Sequence, residues 1–336
     1  MAAPKAIRPS DSARDVIIAA NPRAGARSRR WSVAAISGAI EKAGYCARLV
    51  TDLAELKALA EQGWKSGELR AVVALGGDGT AAVVRNHVPL EVPLVPVPLG
   101  TENLLGRYVG QRVEPAAVVE TLRCGVTVGL DLGRAGERYF LLMISVGFDA
   151  EVVRRLHETR RGNITRLAYI KPTLATIRSY AYPELQLYCG GPSSDGADVD
   201  KSEPLRCRWV FGFNLPLYAC GWQFVPGAVA TDGRLDLCLF QRGSLWGVAR
   251  YLWHVTRRGH HLLEDTTIAH GERFRIEAAG AADVAYQLDG DWAGVLPVDI
   301  EVLPGALRLL VSPATAQRLG FELPEAKEAP PRACLK

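Results

Sequence analysis

Three short segments carry residue types suited to holding phosphate. They are Asn21-Pro22-Arg23-Ala24-Gly25, Gly76-Gly77-Asp78-Gly79-Thr80 and Leu99-Gly100-Thr101-Glu102-Asn103. Glycine lets a backbone turn sharply and bring its amides against an anion. A helix that begins at such a loop adds the positive end of its dipole. Thr80 and Thr101 offer hydroxyls, and Asn21 and Asn103 offer side-chain amides. Asp78 is out of place beside phosphate unless a divalent cation lies between them. Magnesium fills that role, because hard cations prefer carboxylate and phosphate oxygens. A tight turn would use the same glycines, so one such loop says little. Neither Gly-x-x-x-x-Gly-Lys-Ser/Thr nor Gly-x-Gly-x-x-Gly behind a strand occurs, which excludes the P-loop and the dinucleotide fingerprint.

The elements around these loops give them weight. Asp15 to Ala20, Cys46 to Val50, Ala71 to Leu75 and Leu94 to Pro98 read as strands. Helical patterns fall between them, from about Ser28 to Ala43, Leu53 to Trp64 and Thr80 to His87, with Thr51-Asp52 capping the second. Ala71 to Leu75 is uniformly apolar, as a parallel strand buried on both faces should be. The prolines of Leu94 to Pro98 suggest an edge strand or a strand end. In such α/β sheets, ligands bind beyond the carboxyl ends of the strands, where all three loops fall.

After about Val126 the rhythm changes to many short strands punctuated by Gly, Pro and Asp. Candidates are Val126 to Leu132, Arg138 to Val146, Glu184 to Cys189, Leu205 to Asn214, Leu235 to Phe240, Arg273 to Glu277, Val284 to Leu288, Val298 to Leu303 and Leu307 to Val311. Helices are expected over Thr165 to Tyr180 and Ser244 to Arg257, and a flexible loop over Gly190 to Pro204. The expected organisation is an α/β domain over 1–125, a β-rich domain over 126–315 and a disordered tail over 316–336.

A chain of 336 residues suits two domains of ordinary size, and 48% hydrophobic with 23% charged residues is a globular composition. A net charge of +4 is too weak to argue for nucleic acid. No apolar run reaches the length of a spanning helix, and no secretory signal is expected before Val16. Seven scattered cysteines without a Cys-x-x-Cys pair read as free thiols in a reducing cytoplasm.

The ordered set NPRAG, GGDGT and PLGTEN resembles the diacylglycerol kinase catalytic-domain family, which includes bacterial lipid kinases, sphingosine kinases and ceramide kinases. The likeness continues through Val146-Gly147-Phe148-Asp149-Ala150, through Pro226-Gly227-Ala228 and Thr231 to Asp236, and through Leu288-Asp289-Gly290-Asp291, over residues 15 to 312. NAD kinases and phosphofructokinases share the GGDG-type loop, but PLGTEN and the late Asp-Gly motifs point to the lipid branch. The resemblance implies a Rossmann-like α/β nucleotide-binding domain followed by a β-sandwich-like domain. It implies an ATP- and magnesium-dependent transfer to a lipid hydroxyl. Asn21, Pro22, Arg23, Ala24, Gly25, Thr51, Gly76, Gly77, Asp78, Gly79, Thr80 and Thr101 would line the ATP site with Asn103 beside them, and Asp78 would organise the catalytic magnesium. Asp232, with backbone oxygens of Val229 and Arg234, would form a structural magnesium site; an ordinary hairpin turn accounts equally well for Asp232-Gly233. Relatives further imply a homodimer.

Two departures stand out. In the family's bacterial members the late motif reads Asp-Gly-Glu, and that Glu is the proposed proton acceptor; here Asp291 takes its place, one methylene shorter. A misplacement of about 1 Å can cost on the order of a hundredfold in rate. Tyr218-Ala219-Cys220-Gly221-Trp222 replaces a glycine triplet in the substrate cleft. Two other readings therefore stay open: a kinase of a soluble metabolite, such as NAD, and a nucleotide-binding regulatory protein without catalysis. For a cytoplasmic enzyme meeting its lipid at an anionic membrane surface, two basic clusters are candidates, with a plain solvated helix face as the alternative for each. One is Arg23, Arg27, Arg29 and Arg30; the other is Arg154, Arg155, Arg160, Arg161, Arg166 and Lys171. His260-His261 reads as a surface pair, and Trp209, Trp222, Trp246 and Trp253 as core or cleft walls.

Overall fold

A computed structural model of the chain describes residues 3–20, 27–159, 170–190, 203–218, 221–280 and 282–325. The first part alternates β1 (Asp15–Ala20), α1 (Arg27–Lys42), β2 (Cys46–Val50), α2 (Leu53–Ser66), β3 (Leu69–Gly76), α3 (Asp78–Arg85) and β4 (Leu94–Pro98). The strands run parallel in the order β2-β1-β3-β4. All of β3 is buried, so both its faces are covered, as its apolar run requires. Asp52 caps α2 by accepting the Glu55 amide at 2.8 Å, and Gly67 ends it in the left-handed conformation.

Two local details differ from expectation. Helix α3 starts at Asp78, not Thr80, so Gly77 is its N-cap and the turn before it is only Gly76-Gly77. Strand β4 is not at an edge. It pairs β3 from Leu94 to Pro98 and meets a further strand on its other side at Leu94 alone. That nearly unpaired side is what tolerates two prolines, which have no N–H to give a ladder.

The chain continues through α4 (Leu104–Tyr108), α5 (Pro115–Cys124), β5 (Val126–Ala135), β6 (Arg138–Phe140), β7 (Met143–Val146), α6 (Phe148–Thr159), α7 (Ile170–Ser179), β8 (Leu185–Cys189), β9 (Leu205–Cys207), β10 (Trp209–Phe213) and β11 (Leu235–Phe240). It ends with α8 (Leu245–Thr256), β12 (Thr266–Gly271), β13 (Arg273–Ala278), β14 (Ala285–Leu288), β15 (Asp291–Val295), β16 (Val298–Val311) and α9 (Pro313–Arg318). One sheet runs β2-β1-β3-β4-β16-β13-β8-β9, with β5 on β16 and β6 on β5. A second, antiparallel sheet runs β12-β11-β10-β7-β14-β15.

The two sheets enclose a core that includes Phe140, Ile144, Val210, Leu237, Phe274 and Ile300. Strand β10 shows the alternation that builds a sandwich: Val210 faces this core, while Trp209, Phe211 and Phe213 face the opposite way, toward α6 and α8. An α/β domain followed by a β-sandwich-like domain is thus the architecture. Two expected single strands are each split in two. Arg138 to Val146 breaks at Leu141-Leu142, and Leu205 to Asn214 breaks at Arg208; in both the chain passes from one sheet to the other. Residues 191–202 of the expected loop and 326–336 of the expected tail lie outside the described residues.

Candidate active site

The sequence Leu288-Asp289-Gly290-Asp291 folds as the tightest form of β-hairpin. Leu288 pairs with Asp291 across β14 and β15, leaving a two-residue turn. Asp289 has φ 51° and Gly290 φ 88°, the pair of positive values that a type I′ turn demands and that Asp-Gly supplies. The Asp289 carboxylate then anchors the turn. Its Oδ2 accepts the Leu141 amide at 2.7 Å, and its Oδ1 accepts those of Leu142 at 2.8 Å and Met143 at 3.0 Å. These are the amides freed where the chain leaves β6 for β7. Burial, with Asp78 as a like-charged neighbour, raises the Asp289 carboxyl to about 6 against the pull of the three amides.

Asp289→Ala removes the acceptor of three amides and puts alanine at positive φ. We expect about 3 kcal/mol or more of lost stability by denaturant titration, with Asp289→Asn in between because it keeps one oxygen and tolerates the turn. An alanine variant as stable as the parent would show that the crossing does not depend on this carboxylate.

The anchored hairpin presents Asp291 to the glycine-rich loop. A Cβ built on Gly79 would lie 3.8 Å from Asp291 Oδ2. A carboxylate from the far end of the chain therefore abuts the N-terminus of α3. The loop itself is held by a second one. A Cβ on Gly100 would lie 2.4 Å from Gly77 Cα, so these two backbones touch as only glycines can. Asp78 ties the loops together: its Oδ2 accepts the Leu104 amide at 2.9 Å and its Oδ1 that of Leu105 at 3.0 Å. It thus serves the first amides of α4, which have no partner within the helix. Burial raises the Asp78 carboxyl, opposed by the Leu104 and Leu105 amides.

Of the other expected site residues, Thr80 Oγ1 packs over Gly76, where an added Cβ would sit 2.1 Å away. Asn103 has φ 52° and turns into its own loop, accepting the Gly100 amide at 2.6 Å and donating to the Gly100 carbonyl at 2.9 Å. Thr101 is exposed at the same loop. Thr51 is exposed at the carboxyl end of β2, two strands from β3. Asn21, Pro22, Arg23, Ala24 and Gly25 lie outside the described residues, as do Arg160, Arg161 and Arg166 of the basic stretch. Arg154 and Arg155 both pair with Glu151, at 2.7 and 2.8 Å.

A polar network missed in the sequence lies behind the hairpin. Asp149, in the first turn of α6, accepts from Ser145 Oγ at 2.6 Å and Tyr218 OH at 3.1 Å. Gln287 donates to Ser145 Oγ at 2.9 Å and accepts the Gly290 amide at 2.7 Å. This chain runs from Tyr218, in the departure from the glycine triplet, to the turn that carries Asp291. Burial raises the Asp149 carboxyl against these donors.

At the expected structural metal loop, Asp232 Oδ1 accepts the Arg234 amide at 3.0 Å, the pattern of an Asx turn, and Val229 is exposed. Asp131, not singled out in the sequence, lies under the same loop and accepts the amides of Gly233 at 2.7 Å and Gly305 at 3.0 Å. Burial raises its carboxyl, and the neighbouring Asp232 adds to the rise. No cluster of three or more His, Cys, Asp or Glu side chains able to hold a metal occurs among the described residues. His260 is fully buried beneath the carbonyl of Phe224 and is not the surface residue expected, whereas His261 is exposed.

Residues 15–135 match the diacylglycerol kinase catalytic domain, and residues 142–311 match the YegS C-terminal NAD kinase beta sandwich-like domain. The chain belongs to the diacylglycerol kinase catalytic-domain family. Among its relatives, a diacylglycerol kinase of Mycobacterium tuberculosis is 28% identical over 250 residues, covering 71% of this chain and 76% of that one. A diacylglycerol kinase of Staphylococcus epidermidis is 24% identical over 276 residues, 77% and 80% of the two chains. A crystal structure of a diacylglycerol kinase from Bacillus anthracis superposes with a TM-score of 0.63 at 20% identity, over 91% of this chain and 99% of that one. That likeness establishes the fold. Family membership supports a kinase.

Proposed function

We propose that this family member transfers the γ-phosphoryl group of ATP to the hydroxyl of a lipid, diacylglycerol or a close relative. The observation that carries the reading is the position of Asp291 against Gly79. Phosphoryl transfer to an alcohol needs phosphates held in line and a base for the hydroxyl proton. The Gly76 to Thr80 loop supplies amides and the N-terminus of α3 for the first task. Asp291, held by the Asp289 anchor, supplies the second. Because the hairpin already brings the shorter side chain to the loop, Asp291 can stand where the family has Glu.

A magnesium ion fits this donor set. Asp78 precedes Gly79 and Asp291 faces it, and magnesium in kinases is bound by one or two carboxylates with substrate phosphates and water completing the shell. When bound, it would offset phosphate charge. Asp78 would hold it while keeping α4 docked, each carboxylate oxygen having a second lone pair. A second, structural ion at Val229, Asp232 and Arg234 is supported by the buried Asp131 carboxylate beneath the loop that carries Asp232. Burial and the neighbouring Asp232 raise the Asp131 carboxyl, and a cation at this loop would offset both effects.

No helix among the described residues is long and apolar enough to cross a membrane. We further propose a cytoplasmic homodimer that meets its acceptor at a bilayer surface. Exchanging acceptors in an ATP-consumption assay tests the reading. Magnesium-dependent turnover is expected with dispersed diacylglycerol, none with NAD, and none with either after chelation by EDTA. Turnover with NAD and with no lipid would sink it.

A further inference from the structure

Helix α8 buries one face and leaves the other to water. Gly247, Val248, Tyr251 and Val255 point inward. Trp246 and Trp253, which the sequence pattern assigns to core or cleft walls, are 82% and 56% exposed. They are seven residues apart, so they lie on one stripe, with Ala249 and Arg250 between them. Leu245 at the start of the helix and Leu262 in the turn beyond it are also exposed, Leu262 at 77%. Single exposed apolar residues are ordinary; two tryptophans on one helix stripe, with exposed leucines at the helix start and in the turn beyond it, suit an interaction surface.

The charge around the group selects its partner. Arg242, Arg250, Arg257 and Arg258 lie on or next to α8, against Asp265 and Glu264, so arginines outnumber carboxylates there by two (4 − 2). Asp265 pairs with Arg242 and Arg250. The Arg257 guanidinium lies 4.0 Å from the centre of the Trp253 ring. Among the described residues, neither Arg257 nor Arg258 has a carboxylate within ion-pair distance. A second copy of this chain, meeting the patch through a two-fold axis, would set these arginines against each other. Tryptophan settles at the headgroup level of a bilayer, its ring among acyl chains and its N–H toward polar groups, and arginine beside it is drawn to anionic lipid.

We propose that the Trp246–Trp253 face of α8, together with Leu262, docks on the surface of an anionic phospholipid bilayer. The docking has its purpose in the lipid-kinase reading, but the surface itself is argued independently of it. Tyr251 seats α8 on β10 and β11, with its ring 5.8 Å from Trp209 and 4.4 Å from Phe240. Strands β10 and β15 are three places apart in the sheet, so Asp291 lies roughly 15 Å across it from the helix. The basic stretch on α6 is less available, because Glu151 already engages Arg154 and Arg155.

The test is flotation of the full chain with vesicles of phosphatidylcholine alone or with phosphatidylglycerol, alongside Trp246→Ala/Trp253→Ala. Both side chains are exposed, so the variant should fold, and its melting curve checks this. The parent is expected to float with the anionic vesicles and the variant to bind about tenfold more weakly or worse. Turnover of a monodisperse short-chain acceptor should be unchanged, while turnover of an acceptor embedded in the vesicles falls. Equal flotation of parent and variant overturns the proposal, as does a parent that ignores anionic vesicles. So does a parent dimer that the substitutions dissociate without altering flotation, which would assign the face to a second copy. Tryptophan-dependent flotation without turnover of any lipid would support the docking and remove the kinase reading.

Discussion

Asp291→Ala leaves the protein folded and reduces phosphoryl transfer by about a hundred- to ten-thousandfold, the range a positioned general base contributes. Asp291 is half-exposed at the first position of β15, and the hairpin that carries it is fixed by Asp289 and Gly290. Removing its carboxylate therefore alters chemistry with little effect on folding. ATP affinity should change little, because the glycine loop and α3 remain in place. Asp291→Asn should resemble Ala, since an amide does not accept the proton. Asp291→Glu should retain transfer well above both, because it keeps the carboxylate. Initial rates with γ-labelled ATP and a separate nucleotide-binding titration separate the two effects. Alanine turning over at the parental rate would remove Asp291 as the base.

Gly100→Ala is expected to cripple nucleotide binding and to destabilise the protein by about 1–3 kcal/mol, the usual cost of overpacking. The new Cβ would lie 2.4 Å from Gly77 Cα, 3.1 Å from Gly77 N and 2.7 Å from Asn103 Oδ1. Two of those neighbours are backbone, so no rotamer change relieves the clash. The loops must separate, and with them go the Asp78 contacts to Leu104 and Leu105 and the aim of α3. Gly38→Ala, in the middle of α1, meets nothing within 4 Å and is the control. It should be neutral or stabilising by up to about 1 kcal/mol, since alanine is the better helix former. Thermal melts and ATP titrations of the pair decide the point; a Gly100→Ala protein that binds ATP normally would mean the loops need not touch.

The α/β half was legible because its physics is local. A buried parallel strand is apolar throughout, and a glycine turn and helix start at its end follow within a few residues, as β3 and α3 do. The Asp289-Gly290 turn was legible for the same reason. What Asp289 does was not, because its partners Leu141 to Met143 lie 146 to 148 positions away. The strand breaks at Leu141-Leu142 and Arg208 were hidden too: apolar residues continue through them, and only the second sheet makes a crossing necessary. Strand β12 reads Thr-Thr-Ile-Ala-His-Gly, an edge strand with half-exposed residues and no clear alternation. Helix α6 carries Phe148, Val152 and Leu156 at helical spacing, but its arginines suggested only a basic surface. Trp246 and Trp253 misled in the other direction. Large aromatic residues are usually buried, and only the packing of Tyr251 beneath α8 shows which face is left outside.

The most direct test is to incubate the protein with γ-labelled ATP, magnesium and a total lipid extract, and to identify any labelled product, with Asp291→Ala in parallel. Label is expected in a phosphorylated lipid that forms with the parent and not with the variant. Label appearing only in a water-soluble product, or equally in a lipid with both proteins, would contradict it.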